Sequence, residues 1–509
     1  MFQRVRTYCL SGIRAIPVSV EVDSSAGLPG FTLVGLPDNA VRESRERVVS
    51  AVRSIGKVVT RSRMTVNLSP ADIKKEGASL DLPLSIGMLL ASRELEVPNV
   101  DSFVFLGELS LDGLLKPVRG VLSVAMSLDK ERDVLVVPSG NLKEASLVEG
   151  LRVLGVASLS ECVKALDECS PDSVTRAAGL HAASGEFKMN CPDFADVVGM
   201  EGVKRALEIA AAGGHNFLLV GSPGAGKTLC ARCLPGILPE MTDEEILEST
   251  RIHSCARHVM AEEFRYISTR PFRSPHHSAS MVSLVGGGSK LMPGEASLAH
   301  NGVLFLDELP EFSRMALEAL REPMEEGKIT VSRANGSVVW PSRFMMGAAM
   351  NPCPCGFAMD PKRECKCLPE AKKRYRERVS GPLLDRIDLQ VVAPPVDASL
   401  FAEKRRGEPS AAIRKRVIAA RRAQLARSGG AFRSNADMTS KFATEAAAMS
   451  TATEKFAVSA AEKMMLSGRG YYRLLKVART IADLRGAAAV EIPDLAEALQ
   501  YRAMRDLGT

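Results

Sequence analysis

The chain has 509 residues, of which 46% are hydrophobic and 25% charged, and it carries a net charge of +6. Since domains commonly span roughly 100–200 residues, this length predicts about three domains, and the composition excludes a wholly disordered chain. No apolar run approaches the roughly 18 residues that cross a bilayer, and Arg4, Arg6 and Arg14 interrupt the first segment. We therefore expect a cytoplasmic protein that has no signal peptide and no membrane partner.

Residues 1–168 predict a mixed α/β domain. Their apolar patterns predict strands at 18–22, 31–36, 64–68, 103–106 and 134–137. Asp38 is suited to cap a helix that runs to about Ile55, and Gly56 is suited to end it. Residues 169–191 lack a sustained apolar period and predict a linker.

Two further segments follow the linker. Residues 192–395 alternate short apolar strands with helices, which predicts an α/β core. Residues 396–509 are rich in Ala, Lys, Arg and Glu at helical spacing, and predict an all-helical domain.

A phosphate-binding loop is predicted at residues 221–228, which fit the pattern G-x-x-x-x-G-K-[ST]. The apolar run 217–220 before it is typical of a buried parallel strand. In such a loop, backbone N–H groups turn toward phosphate oxygens, the lysine neutralises the β and γ phosphates, and the hydroxyl ligates Mg²⁺. The predicted nucleotide-binding residues are Gly221, Ser222, Pro223, Gly224, Ala225, Gly226, Lys227 and Thr228.

Polar residues follow two further apolar strands. Asp307 and Glu308 end the run 303–306, where two carboxylates are costly to bury unless they have a function. We expect Asp307 to hold Mg²⁺ with Thr228, and Glu308 to activate the water that attacks the γ phosphate. Asn351 ends the run 344–350, where it either hydrogen-bonds that phosphate or water, or forms a turn before proline.

Arg386 is the one basic residue in an otherwise apolar and acidic stretch, residues 383–389. Its side chain either pairs locally with Asp385 or Asp388, or reaches across a subunit interface as an arginine finger. The spacing does not choose between these alternatives.

Two basic stretches indicate a polyanionic partner. Residues 401–435 carry ten Lys or Arg against two Glu, and residues 362–378 carry eight against three Glu. Solvated helix faces have the same composition, so charge alone leaves both interpretations open.

The chain contains eleven cysteines, and an odd number without a predicted export signal favours reduced thiols. Four thiolates suit a closed tetrahedral zinc site, although C-x-C spacing is tighter than usual and free thiols are the alternative. The predicted zinc ligands are two C-x-C pairs separated by nine residues: Cys353 and Cys355, then Cys365 and Cys367.

Together, these residues resemble the ComM/YifB family of magnesium-chelatase-like AAA+ ATPases. The resemblance covers nearly the whole chain and rests on these strings: VNLSPAD (66–72), GSPGAGKT (221–228), FRSPHH (272–277), AMNPCPCG (349–356), PLLDRIDL (382–389) and KVARTIADL (476–484). It implies an N-terminal α+β domain of Lon-protease-like fold, a central AAA+ core with a parallel sheet and a cysteine-rich insertion at 353–367, and a C-terminal helical lid. It also implies ATP and Mg²⁺ as cofactors.

The same resemblance assigns roles to single residues. Asn351 corresponds to sensor 1, Arg386 to the arginine finger and Arg469 to sensor 2, with Arg473 as the second choice for sensor 2. Since an arginine finger needs a neighbour, the implied assembly is a homo-oligomeric ring with heterologous interfaces, expected to be a hexamer.

Two adjacent histidines, His276 and His277, follow Arg273 in a predicted loop. They are candidates for contact with nucleotide, metal or DNA, and a structural role is the alternative. Their position alone does not decide between these roles.

The resemblance further implies a DNA partner, because the ComM branch is similar to ATP-driven motors that move branched recombination intermediates during natural transformation. The dipeptide Asn335-Gly336, between alternating segments, predicts a type I′ hairpin. In DNA motors of this clade a hairpin at this position points into the central pore. Arg333 is then a candidate phosphate contact, or else a solvated or salt-bridged arginine.

Three other functions compete with that of a DNA motor. The Lon-like fold suggests a peptidase with a Ser-Lys dyad, but residues 118–123, which align with the Lon lysine, contain none, so Ser79 would lack a base. A metal-insertion motor shares the ATPase core, but the N-terminal domain and the cysteine cluster fit the ComM/YifB pattern better. Intact Lys227, Asp307 and Glu308 oppose a non-enzymatic binding module.

Overall fold

The computed structural model of the protein describes residues 1–28, 30–59, 63–75, 77–168, 170–183, 186–187, 189–256, 264–288, 291–333, 336–395 and 406–502. Up to residue 168 the strands are β1 (Phe2–Ser11), β2 (Arg14–Ser25), β3 (Gly30–Val34), β4 (Arg63–Ser69), β5 (Phe103–Phe105), β6 (Glu108–Leu109), β7 (Leu115–Lys116), β8 (Val134–Pro138) and β9 (Arg152–Val156). The helices are α1 (Asn39–Ser54), α2 (Asp81–Ala91), α3 (Val121–Ala125), α4 (Leu142–Ala145) and α5 (Leu159–Glu168).

These elements form a mixed sheet covered by helices. Its order over the described residues is β3-β4-β2-β1-β5-β8-β9, with antiparallel pairing of β2 to β1 and β4 and parallel pairing elsewhere. The predicted strands and the mixed α/β class are confirmed. Asp38 caps α1 as predicted, since its carboxylate accepts a hydrogen bond from the Val41 N–H at 2.8 Å, and Gly56 follows the helix with φ of 77°.

The first strand was not predicted. In β1 the side chains alternate, with Val5 and Cys9 buried and Arg6 pointing away from them. The Arg6 guanidinium lies 2.5 Å from the Asp133 carboxylate. Arg4 and Arg6, which interrupt the apolar pattern, therefore lie on the face of β1 opposite Val5 and Cys9.

The stretch predicted as a linker packs against the sheet. Its described residues include β10 (Glu186–Phe187) and a backbone hydrogen bond of 2.8 Å from the Ala177 N–H to the Leu151 carbonyl. Leu180 packs on the apolar cluster beneath β8 and β9. The described part of this stretch is therefore irregular in structure but held to its neighbours.

The central part follows β10. Its strands are β11 (Phe217–Gly221), β12 (Tyr266–Ile267), β13 (Phe272–Arg273), β14 (Gly286–Gly287), β15 (Met292–Pro293), β16 (Val303–Leu306), β17 (Lys328–Arg333), β18 (Gly336–Pro341), β19 (Met345–Met350) and β20 (Leu389–Ala393). Its helices are α6 (Glu201–Gly213), α7 (Lys227–Cys233), α8 (Asp243–Ala256), α9 (Met281–Val285), α10 (Glu295–Leu298), α11 (Arg314–Ala319), α12 (Arg321–Glu326), α13 (Pro369–Arg376) and α14 (Gly381–Leu384).

A parallel sheet forms the core of this part, in the order β13-β16-β19-β11-β20. Every residue of β11, β16 and β19 is buried, because helices cover both faces and the strands are continuous apolar runs. The predicted parallel-sheet core is confirmed. The predicted hairpin is present as the antiparallel pair β17 and β18, while Asn335 and the side chain of Arg333 lie outside the described residues.

The last part is helical, as predicted. Its helices are α15 (Ser410–Ser428), α16 (Ser440–Ala447), α17 (Thr451–Lys463), α18 (Gly468–Arg485) and α19 (Ile492–Gln500). Arg479 on α18 is fully buried and donates to the carbonyls of Ala487 and Ala488 and to the Asp483 carboxylate. Within the described ranges, no helix has both the length and the apolar character needed to cross a membrane.

Candidate functional site

The predicted phosphate loop connects strand β11 of the parallel sheet to helix α7. Gly224 and Gly226 adopt φ of 77° and 83°, a region that disfavours residues with a Cβ. Because β11, β16 and β19 are parallel neighbours, with Val220 opposite Met350 and Leu306 opposite Ala348, the residues that follow these strands meet at one edge of the sheet.

Lys227 lies inside this loop with 8% of its surface exposed. Its ammonium group donates to the Gly221 carbonyl at 2.7 Å, the Ser222 carbonyl at 2.9 Å and the Asn351 side-chain oxygen at 3.3 Å. Burial lowers the pKa of Lys227, and the charges of nearby carboxylates oppose that shift. A buried cation held by neutral oxygens is suited to exchange these contacts for phosphate oxygens.

The predicted Mg²⁺ ligands contact each other. The Thr228 hydroxyl donates to the Asp307 carboxylate over 2.6 Å, so one alcohol and one carboxylate oxygen face a common space beside the loop. Oxygen ligands of this kind suit Mg²⁺, which usually keeps several waters and takes one or two carboxylates plus substrate phosphates. The residues present therefore fit the ion.

Glu308 adopts an unusual backbone conformation next to Asp307. Its φ of 53° and ψ of 46° lie in the left-handed region, which is costly for a non-glycine residue and recurs at functional sites. Its N–H donates to the Asp307 carboxylate at 2.9 Å, and its carboxylate lies 3.2 Å from Nδ1 of His277. The sequence leaves the role of His277 open, and in the structure His277 contacts Glu308.

Arg386 contacts a residue that its local sequence does not suggest. Its guanidinium donates to the Pro382 carbonyl at 2.7 Å and to the Glu325 carboxylate at 2.5 Å, and the side chain is only 7% exposed. In the structure, α12 brings Glu325 to the guanidinium. This ion pair lowers the pKa of Glu325.

The two candidates for sensor 2 have different surroundings. Arg469, at the start of α18, is 56% exposed and lies 3.2 Å from the same Glu325 carboxylate. Arg473, one turn later, bonds the Asp385 carbonyl and lies 3.7 Å from Asp388. Glu325 therefore joins the predicted arginine finger and the first-choice sensor 2, a link that no local sequence signal could have shown.

The four predicted zinc ligands form a cluster. Their sulfur atoms all lie within 4.8 Å of one another, and three pairs are separated by 3.3, 3.6 and 3.6 Å. Zn–S bonds of about 2.3 Å in a tetrahedron place sulfurs roughly 3.8 Å apart, so the cluster has the dimensions of a zinc site.

The thiols of the cluster differ in their pKa. The Phe357 backbone N–H lowers the pKa of the Cys355 thiol to about 6, whereas burial and the neighbouring thiols raise the pKa of Cys353 to about 12. Four thiolates at this separation repel one another, and a divalent ion removes that repulsion.

Most arginines of the first basic stretch, residues 401–435, contact other parts of the chain. Those on or near α15 bond to acceptors in helices and loops of other segments: Arg414 to Glu240, Arg416 to Glu208 and Glu408, Arg421 to the Ala211 carbonyl, Arg427 to Asp483, and Arg433 to Asn301. Lys404 and Arg405 lie outside the described residues. Much of the charge in residues 401–435 therefore stabilises the packing of α15, an outcome that neither sequence interpretation included.

Ser79, the serine considered for peptidase activity, lines a cavity of about 740 Å³. Lys116 and Val118 line the same cavity. Ser123, at the end of the stretch aligned with the Lon lysine, is fully buried and accepts a hydrogen bond from Arg251 at 3.0 Å. A lysine thus shares the cavity with Ser79 but lies outside the aligned stretch.

Comparison with known proteins gives three family matches and several relatives. The family described as magnesium chelatase, subunit ChlI, matches residues 193–400, subunit ChlI of Mg-chelatase matches 20–141, and the ChlI C-terminal family matches 407–502. The chain is 43% identical to the competence protein ComM of Haemophilus influenzae, over 97% of this chain and 96% of that protein. It is 42% identical to YifB of Escherichia coli, over 98% and 97%. The magnesium-chelatase 67 kDa subunit of Chlorobaculum parvum is 29% identical over 31% of this chain and 23% of that subunit.

Proposed function

Because the chain belongs to the ComM/YifB family of magnesium-chelatase-like AAA+ ATPases, we propose that it is a ring-forming, ATP-driven DNA motor that acts on branched recombination intermediates in the cytoplasm. Identity of 43% to a protein named for competence, along nearly the full length of both chains, carries the proposal. Competence requires the handling of incoming DNA, which is the setting in which such a motor would act.

Each predicted residue has a role in the proposed reaction. The loop at 221–228 and Lys227 bind the phosphates of ATP, and Thr228 and Asp307 hold Mg²⁺. Glu308 is the general base and Asn351 orients the γ phosphate or the attacking water. Arg386 acts on the nucleotide of a neighbouring subunit in a ring, expected to be a hexamer, and Arg469 acts from α18 as sensor 2.

We assign the chain to three domains on the same basis. The N-terminal domain, of Lon-protease-like fold, comprises residues 1–168 and is followed by a linker at 169–191. The ATPase core comprises 192–395 and includes the cysteine-rich insertion 353–367. Residues 396–509 form the helical lid.

The cysteine cluster is assigned as a structural zinc site. Elemental analysis of the purified chain should find about one zinc per chain, because four thiolates at tetrahedral spacing close the site to other ligands. A Cys353→Ser/Cys365→Ser double variant should lose the metal. Cys191→Ser, a change at a half-buried free cysteine outside the cluster, should keep it. Zinc retained by the double variant would exclude these residues as ligands.

The second basic stretch, residues 362–378, is the proposed DNA contact. Unlike the arginines near α15, Lys366, Lys373 and Arg374 are exposed side chains on or next to α13. They lie beside the cysteine cluster, on a part of the chain that the ATPase core holds in place. Basic side chains on a rigid element that project into solvent can neutralise DNA phosphates.

The test is steady-state ATP hydrolysis without nucleic acid and with single strands, duplex or a four-way junction, each at two salt concentrations. DNA should stimulate hydrolysis, and the stimulation should fade as salt rises, because binding through phosphate contacts releases counterions. A Lys366→Ala/Arg374→Ala double variant should reduce both the stimulation and its dependence on salt.

Two controls accompany this measurement. Lys227→Ala supplies the blank for hydrolysis, and Lys415→Ala/Arg422→Ala removes two exposed charges from α15 and should preserve the stimulation. Hydrolysis that is indifferent to every nucleic acid would contradict the DNA role. It would favour a protein-remodelling or chelatase-like motor with the same ATP site.

A further inference from the structure

The cysteine cluster begins directly after a residue of the nucleotide site. Asn351, which accepts a hydrogen bond from Lys227 at 3.3 Å, is separated from Cys353 by a single proline. Cys353 is completely buried, so the cluster is anchored against the core at the end of β19. Cys353, the first cysteine of the cluster, and Asn351 therefore lie on the same short segment of backbone.

The cysteine loop, residues 353–367, also touches the phosphate loop. Gly356 has φ of 84° and lies so close to Pro223 that a Cβ at position 356 would be 2.5 Å from Pro223 Cδ and 2.6 Å from Cγ. The Gly356 N–H donates to the Cys353 carbonyl at 2.9 Å, which fixes the turn that makes this contact. Only glycine satisfies both the backbone angle and the space.

The far end of the cysteine loop returns to the same place. Helix α13 begins two residues after Cys367, and Tyr375 on this helix is 7% exposed. Its ring lies in the same buried apolar cluster as Met350, the residue before Asn351. The cysteine loop is thus held at both of its ends beside Asn351 and packs at Gly356 on the phosphate loop.

We propose that the metal-loaded cysteine loop braces the phosphate loop, so that nucleotide binding depends on occupancy of the metal site. The inference rests on the zinc site proposed above. A loop of this length, rich in exposed polar residues, buries little apolar surface of its own, and metal binding supplies the free energy that orders such segments. Without the metal, Gly356 and Asn351 lose the support that fixes them against Pro223 and Lys227.

The first experiment changes the contact between Gly356 and Pro223 and leaves the metal ligands intact. Gly356→Ala leaves all four cysteines in place but forces Pro223 to move, and it should retain zinc while weakening the binding of a fluorescent ATP analogue about tenfold. Gly430→Ala is the matched control, because Gly430 has the same φ of 84° and open space around it. It should change neither zinc content nor nucleotide affinity.

Metal removal supplies the second measurement on the full-length chain. The Cys355→Ser/Cys365→Ser variant, and the natural chain stripped of zinc by a chelator, should both bind the ATP analogue at least about tenfold more weakly. Return of zinc to the stripped chain should restore the affinity, whereas Cys191→Ser should match the natural chain throughout.

The possible outcomes have distinct meanings. Unchanged nucleotide affinity in a zinc-loaded Gly356→Ala chain would show that the contact with Pro223 does not support nucleotide binding. Full affinity in the zinc-free chain would show that nucleotide binding does not depend on the metal. Either result would overturn the proposal. If Gly356→Ala loses zinc as well, the stripped natural chain decides the question. Absence of zinc from the natural chain would instead contradict the zinc site on which the inference rests, while the ATPase assignment would stand.

Discussion

A chain in which Glu308 is replaced by glutamine is expected to bind ATP normally and to hydrolyse it about 10²–10⁴-fold more slowly, the range attributed to general acid–base catalysis. Glutamine keeps the size and polarity of the side chain beside His277 but cannot accept a proton from water. The substitution leaves in place Lys227, the proposed phosphate ligand, and the pair formed by Thr228 and Asp307. Single-turnover hydrolysis and equilibrium binding of an ATP analogue would separate the two effects.

Lys227→Ala is the natural comparison for Glu308→Gln. It removes the buried ammonium that bonds the carbonyls of Gly221 and Ser222, so both the phosphate contact and the shape of the loop should be lost. Nucleotide binding should therefore fail in Lys227→Ala but persist in Glu308→Gln. A Glu308→Gln chain with normal turnover would exclude Glu308 as the base, whatever its contact with His277.

The site residues that the sequence predicted are those that come directly after an apolar strand. The phosphate loop, Asp307 and Asn351 each come directly after an apolar run, and parallel neighbours bring the ends of such runs together. The observed contacts of Lys227 with Asn351 and of Thr228 with Asp307 are of this kind. The sequence predicted that these residues belong to one site, but it predicted neither the strand order nor the contact between Lys227 and Asn351.

The unpredicted contacts join residues that no local pattern connects. Glu325 reaches Arg386 across 61 positions, and Gly356 meets Pro223 between two loops whose relative position depends on the whole core. Strand β1 shows the same limit, because Arg6 looks like an interruption until Asp133, 127 positions away, is seen beside it. Tertiary pairing of charges overrides the apolar pattern in such cases.

The second large effect is expected at Arg386. Replacement by alanine should reduce turnover about 10³-fold or more, the lower bound for an arginine finger. Nucleotide binding by the single chain should change little, because the described bonds of this guanidinium go to Glu325 and the Pro382 carbonyl. Arg176→Ala, which breaks an exposed ion pair with Glu131, is the control and should leave turnover unchanged, since surface pairs contribute little.

Mixed rings test whether Arg386 acts on a neighbour. An Arg386→Ala subunit keeps an intact phosphate loop, while a Lys227→Ala subunit keeps an intact Arg386. If the guanidinium serves the adjacent nucleotide, mixing the two inactive variants should restore part of the hydrolysis, because some interfaces then combine both functional halves. If Arg386 only stabilises its own subunit through Glu325, no mixture recovers activity, since every intact phosphate loop then belongs to a subunit that lacks this ion pair.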